Sequence, residues 1–238
     1  MGAGPVPDGA GRLRPYAWKD ARSPYAWMSV RDGELLKAVL LRSGAGAAGR
    51  LCVAEWGSGQ STLAYSRVLA ERGVCFHWLT LEYDRQFFDA VLAPELLARS
   101  DAILRYADEG SIARGPTGDG LARVEAVCWN RTELRPFLPE HAADRDADLD
   151  DYVRYPASTG GRFDVMIVDG RKRRRCLMAA ADLMGPDTVV LLHDAWHPHY
   201  HCALGRYAAS RFLGDELWIG AQSAARLDQI VEGREDHP

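Results

Sequence analysis

The stretch Leu51 to Thr62, LCVAEWGSGQST, limits this chain more than any other. Leu51, Cys52, Val53 and Ala54 form an apolar run of the length and kind that makes a buried parallel strand. Glu55 follows it. Gly57 and Gly59 then permit a turn too tight for side chains and a close approach of backbone to a ligand. Ser61 to Ala70 reads as a helix whose first amides face that turn. A strand, a glycine turn and a helix N-terminus together make a nucleotide-type pocket.

The occupant is narrowed by two acids. A dinucleotide fingerprint needs glycine or alanine three residues after the second glycine, and Thr62 stands there. Glu55 would repel a pyrophosphate but suits a cofactor with an amino group and a sulfonium. Val74 to Leu81, VCFHWLTL, is a second apolar strand ending at Glu82. Glu82 lies about twenty residues past the glycines, the offset at which an acid reaches ribose hydroxyls, and a carboxylate accepts from both at once.

On Glu55-Trp56-Gly57-Ser58-Gly59 and Glu82, the chain resembles class I S-adenosylmethionine-dependent methyltransferases, whose first motif reads acid-x-Gly-x-Gly. The resemblance implies an α/β fold: a doubly wound, mostly parallel Rossmann-like sheet closed by a C-terminal antiparallel hairpin. It also implies S-adenosylmethionine as cofactor, held by Glu55, Gly57, Ser58, Gly59 and Ser61, with Glu82 on the ribose. Ala102–Tyr106 and Val124–Trp129 both qualify as the third strand; the first would put Asp108 on the adenine side, the second Asn130.

Phe163–Val168, FDVMIV, is a further strand, ending at Asp169-Gly170. Arg171–Leu183 follows as a helix, and Thr188–Leu192 as a strand ending at His193-Asp194. The alternation predicts a right-handed parallel crossover. Glu55, Glu82, Asp169 and His193-Asp194 all fall at the carboxyl ends of strands, where open α/β sheets bind ligands. Asp169, Lys172 and Asp194 are similar in placement to the residues of catechol and caffeoyl-type O-methyltransferases. In those families they hold Mg²⁺ and supply the base. Ala195 stands where those families place a further Asn ligand, so the choice between Mg²⁺ on Asp169 and Asp194 and a metal-free route stays open. Lys172 and His193 are the candidate bases. Arg171 or Arg173, within a basic run at a helix start, could pair with an anionic acceptor.

The rest of the chain sets bounds. Its 238 residues fit one α/β domain, residues 51–238, behind a lead of residues 1–50 with a Gly/Pro-rich start, an aromatic arm (Tyr16-Ala17-Trp18, Tyr25-Ala26-Trp27) and a helix over Asp32–Leu41. The arm reads as a packed extension, a lid or a homodimer contact. Residues 140–161 are acidic and read as a loop. A net charge of -4 argues against a nucleic-acid partner, and no run approaches the ~20 apolar residues of a membrane span. Five scattered cysteines without a CxxC pair suit a reducing, cytoplasmic setting. Trp196–His201, WHPHYH, reads as a substrate-facing loop rather than a zinc site, and Ala225–Val231 as the last antiparallel strand. The expectation is methyl transfer to a small-molecule acceptor, on oxygen. The alternatives are aminocarboxypropyl transfer or cyclisation of the same cofactor, an NAD-type oxidoreductase and an inactive binding protein.

Overall fold

The computed structural model describes residues 28–47, 49–107, 112–114, 121–129 and 149–233. The aromatic arm, Asp108, Asn130 and the first part of the acidic stretch lie outside them. Among the described residues, nine strands form one sheet: β1 Leu51–Trp56, β2 Phe76–Glu82, β3 Ala102–Tyr106, β4 Ile112–Arg114, β5 Ala122–Cys128, β6 Val165–Val168, β7 Val189–Leu192, β8 Ala209–Phe212 and β9 Trp218–Ala221. Their order is β4-β3-β5-β2-β1-β6-β7-β9-β8. The six strands from β3 to β7 in that order run parallel, while β4, β9 and β8 pair antiparallel. This is the expected doubly wound, mostly parallel α/β sheet with antiparallel strands closing its C-terminal edge.

Chain order reverses at β1. Strands β2, β5 and β3 lie on one side of it and β6 and β7 on the other, so the ligand crevice of such a sheet opens above β1. The central strands are apolar throughout because both faces are covered. Leu51, Val53, Trp78, Ile167 and Leu191 pack on one face beneath α1 (Val30–Gly46), α2 (Gln60–Glu71) and α8 (Ala224–Glu232). Ala54, Trp56, Leu81, Val168 and Leu192 pack on the other beneath α5 (Asp150–Ser158) and α6 (Arg173–Leu183).

The structure decides the third strand: β5 pairs with β2, and β3 lies one place further out. It also corrects three expectations. Ala225–Val231 is not a strand but lies within helix α8, whose Ser223 accepts from Arg226 N and whose Gly233 adopts φ +67°. Those caps are a complete helix signature, and β8 supplies the hairpin partner instead. The spacing of Phe87, Phe88, Val91 and Leu92 predicts a helix over Asp84–Arg99 with Pro94 as its candidate break, and the structure divides it into α3 (Arg85–Phe87), a π-helical turn Phe88–Leu92 and α4 (Ala93–Leu97). Pro94 lacks the N–H an unbroken ladder needs, and the widened turn precedes it. Within the acidic stretch, Asp150–Ser158 is helix α5, because Leu149, Tyr152, Val153 and Pro156 follow a 3–4 spacing and are buried. The short helix α7 spans His201–Leu204.

Helix α1 is fastened to the opposite end of the chain. Buried Asp32 accepts from Asp215 N at 2.8 Å and from Glu216 N at 2.9 Å. Ser29, its N-cap, accepts from Asp32 N at 3.1 Å and donates to Asp215 Oδ2 at 2.8 Å. Asp32→Ala strands two backbone donors and should cost about 3 kcal/mol. That corresponds to a fall in Tm of roughly 6–12 °C for a chain of this size. Thermal unfolding checks it, and a loss near zero would show that the loop finds other partners.

Candidate active site at the carboxyl ends of the strands

Glu55 does not face the crevice. Its side chain is wholly buried, and its oxygens are spent below the glycine turn. Ser61 Oγ donates to Oε1 at 2.5 Å; Thr62 Oγ1, Thr80 Oγ1 and Trp78 Nε1 donate to Oε2 at 2.6, 2.8 and 2.9 Å. Burial pushes the Glu55 carboxyl above its ordinary value, and these bonds offset part of that. Glu55 and Ser61, expected to hold a cofactor, organise the turn from beneath. Thr62 Oγ1 also accepts from Gly59 N at 3.2 Å, joining the turn to the buried acid. Ser58 is buried, with its hydroxyl 2.8 Å from Thr80 Oγ1.

The two glycines differ in use. Gly57 has φ +95°, and a Cβ there would lie 2.4 Å from Gly170 N. Its need is a backbone contact between the turns after β1 and β6, not room for a ligand. A Cβ on Gly59 would meet nothing within 4 Å, so this side of the turn is open. Tyr152 reaches the same place from α5. A Cβ on Gly170 would lie 2.2 Å from its Oη, which is buried and has no hydrogen-bond partner among the described residues.

Glu82 closes β2. Its Oε1 accepts from Tyr83 N and Asp84 N, each at 2.8 Å. Its Oε2 has no partner among the described residues. Burial pushes this carboxyl up to about 8, with the two backbone amides holding it back in part. Beside it, Arg171 Nε donates to Tyr83 Oη at 3.0 Å, linking the ends of β6 and β2 across β1.

On the other side of β1, Asp169 follows β6, and His193 and Asp194 follow β7. Asp169 Oδ1 lies 3.1 Å from His193 Nδ1 and 3.2 Å from Arg173 NH2. Arg173 NH1 lies 3.0 Å from Asp194 Oδ2. Burial alone would raise the Asp169 carboxyl, but the charges of His193 and Arg173 outweigh it and hold it below the usual range. His193 is buried, with Nε2 3.6 Å from Glu216 Oε2, so both ring nitrogens face carboxylates. Lys172 is buried at the start of α6 with φ 56°, and Asp194 has φ 53°.

Three members of this group escaped the sequence reading in their actual roles. Arg173 is internal to the site rather than poised for an acceptor. Glu216 was legible in principle: β9 runs antiparallel to β7 with Leu192 opposite Trp218, which brings the residues before β9 to the carboxyl end of β7. Tyr152 was hidden among acids. In the WHPHYH loop, Trp196 is exposed and stacks on His197 at 3.7 Å. None of these loop histidines joins a metal-competent cluster among the described residues.

Two clusters have ligand atoms close enough for a metal: Asp169–His193–Asp194 and Asp32–His193–Glu216. Neither fits one well. In the first, a guanidinium already bridges the carboxylates. In the second, both Asp32 oxygens already accept backbone amides. A Mg²⁺ on Asp169 and Asp194, the alternative the sequence leaves open, would have to share these carboxylates with Arg173.

Fold and site together define a doubly wound α/β protein with an acid-lined ligand crevice above its first strand. No protein-family model matches the chain, nor does any curated protein. Among solved structures, similar chains include a methyltransferase-like protein from Silicibacter pomeroyi, 19% identical over 82% of this chain and 92% of that one, TM-score 0.45. Another is human methyltransferase-like protein 13 in complex with SAH, 12% identical, covering 84% and 87%, TM-score 0.48. A third is an SAH-bound methyltransferase from Podospora anserina, 15% identical, covering 77% and 75%, TM-score 0.42. Likeness of this degree leaves function to the residues of the site. No helix among the described residues is long and apolar enough to cross a membrane.

Glu55→Gln should keep its stability within about 1 kcal/mol, because the amide oxygen can replace Oε2 and the NH₂ can donate to Ser61. Glu55→Ala should lose about 3 kcal/mol or more, through a cavity and stranded donors. Urea unfolding compares them. Equal losses would mean that the charge, not the hydrogen-bond geometry, holds the turn.

Proposed function

We propose that this chain binds S-adenosylmethionine and transfers its methyl group to a small-molecule acceptor, on oxygen. The observation that carries the reading is Glu82: a buried strand-end acid with one oxygen anchored and the other unspent, beside an open glycine turn. The unspent oxygen suits a ribose hydroxyl, and the first amides of α2 suit the cofactor's carboxylate. Gly59 and Ser58 would line the approach. When bound, the sulfonium cofactor supplies the electrophilic methyl group.

The acceptor then belongs on the side of Asp169 and Asp194. Asp169, the more exposed of the pair, receives the hydrogen bond of the acceptor hydroxyl. Lys172 or His193 removes the proton. His193 can do so only through Asp169, since its nitrogens are turned to carboxylates. The exposed Trp196–His197 stack offers a wall for the acceptor's apolar body. Soluble cytoplasmic residence and a homodimer through the aromatic arm remain part of the proposal.

Calorimetry with S-adenosylmethionine, SAH and NAD tests the cofactor, followed by a labelled-methyl assay over phenols, sugars, nucleosides and carboxylates. Binding of NAD and not of SAH would overturn the reading, and a labelled product lacking the methyl group would redirect it to another use of the cofactor. Asp169→Ala should lower kcat at least 100-fold, a typical general acid–base contribution, with the cofactor Kd changed less than about threefold. Unchanged turnover would remove Asp169 from the mechanism.

The Glu82 value of about 8 gives a signed pH effect. The ionised carboxylate is the better acceptor for ribose hydroxyls, so affinity for SAH should rise as pH increases towards and through 8, then level off. Glu82→Gln should bind at least tenfold more weakly and show no such rise. For stability the sign is opposite: the raised value contributes stability below pH 4.5 that is lost as pH climbs to about 8. An SAH affinity independent of pH in the native protein would place the ribose elsewhere.

A further inference from the structure

We propose that Arg173 is the resident cation of the acceptor side, standing where the two strand-end acids would otherwise hold a divalent metal ion. Its guanidinium lies 3.2 Å from Asp169 Oδ1 and 3.0 Å from Asp194 Oδ2, so one planar group spans both carboxylates. It is not free to swing aside. Nε donates to Gly170 O at 3.0 Å and NH1 to His193 O at 2.7 Å, and the residue is buried. Displacement would strand two carbonyls and a buried charge. Its cation also lies 5.8 Å from the centre of the Tyr200 ring.

The local backbone is arranged for this pairing. Asp194 takes a left-handed conformation, φ 53°, which costs a residue with a side chain some strain and is tolerated by aspartate. Arg173 opens α6, where the helix dipole disfavours a cation. Both unfavourable placements find their return in one contact: the dipole's positive end and the guanidinium face the same two acids. A metal entering between those acids would meet a fixed positive charge at contact distance and would have to share Asp169 Oδ1 with both Arg173 and His193. The site thus carries its counter-charge in the chain, and chelators should leave it intact. This holds whether or not the crevice takes S-adenosylmethionine.

Titration of the whole chain with Mn²⁺, followed by electron paramagnetic resonance and calorimetry, tests it. The native protein should show no site tighter than millimolar, and its Tm should not change with chelator. Arg173→Met removes the charge but keeps an unbranched apolar side chain. It should open the Asp169–His193–Asp194 set and bind one Mn²⁺ at least 100-fold more tightly than the native chain. Adding Asp194→Asn to that variant should abolish the gain. Stoichiometric Mn²⁺ binding by the native protein that disappears in Asp169→Asn or Asp194→Asn would overturn the proposal. So would a folded Arg173→Met chain with no gain. Should Arg173→Met fail to fold, the native titration decides alone: binding that depends on Asp169 and Asp194 overturns the proposal, and its absence up to millimolar Mn²⁺ supports it. Failure of SAH binding would refute the cofactor reading and leave this result untouched.

Discussion

A carboxylate with no water around it governs the crevice. Removing the Glu55 charge from solvent costs several kcal/mol unless donors replace the lost hydration. Four do, from two places in the chain: Ser61 and Thr62 on α2, and Trp78 and Thr80 on β2. Since each must reach the same two oxygens, the acid fixes β1, β2 and α2 against one another. Thr62 extends the constraint to the turn itself by accepting from Gly59 N. The glycine turn is thus held down from within, and Gly57 can lie against Gly170 across the point where the sheet reverses.

The polar groups on the two sides of β1 are satisfied by different chemistry. Left of the reversal, Glu55 is met by neutral donors and Glu82 by two backbone amides, with one oxygen left over. Right of it, Asp169 and Asp194 are met by a guanidinium and an imidazole. Burial pushes the Glu82 carboxyl up to about 8, and its two backbone amides offset only part of that. A cationic surround keeps an acid ionised, as with Asp169. The first arrangement favours a ligand that brings hydroxyl hydrogens, and the second a fixed acceptor of hydrogen bonds.

Much of this architecture is written in local pattern. The buried strands β1, β2, β6 and β7 are short apolar runs, and each ends at an acid or histidine that the fold brings to one edge. What pattern could not convey was direction. Alternation along a strand says that Glu55 and Trp56 point opposite ways, but not which way the crevice lies; β1 turns Glu55 towards the α2 side of the sheet, where the donors are. Density of charge misled twice. The acids around 144–151 concealed the buried stripe of Leu149, Tyr152, Val153 and Pro156. The basic run 171–175 suggested a partner outside the chain for Arg171 or Arg173, although Arg173 is buried on two acids and Arg175 is paired with Asp150. Charge content is a property of composition, while burial depends on partners that arrive from distant sequence. Helix α8 is the opposite case: its caps, Ser223 and Gly233, stand plainly in the sequence.

The lead helix belongs to this chemistry more closely than its position in the chain suggests. Asp32 on α1 accepts the amide of Glu216, and Glu216 Oε2 lies 3.6 Å from His193 Nε2. The opposite nitrogen of that ring lies 3.1 Å from Asp169. A file of neighbouring polar groups therefore runs from the first described helix to Asp169. The imidazole has two nitrogens and two acids, so its rotation is fixed only while both acids stay in place. Glu216 stays because Asp32 holds its backbone. The setting of His193 and Asp169 thereby depends in part on the lead helix, through Asp32 and Glu216.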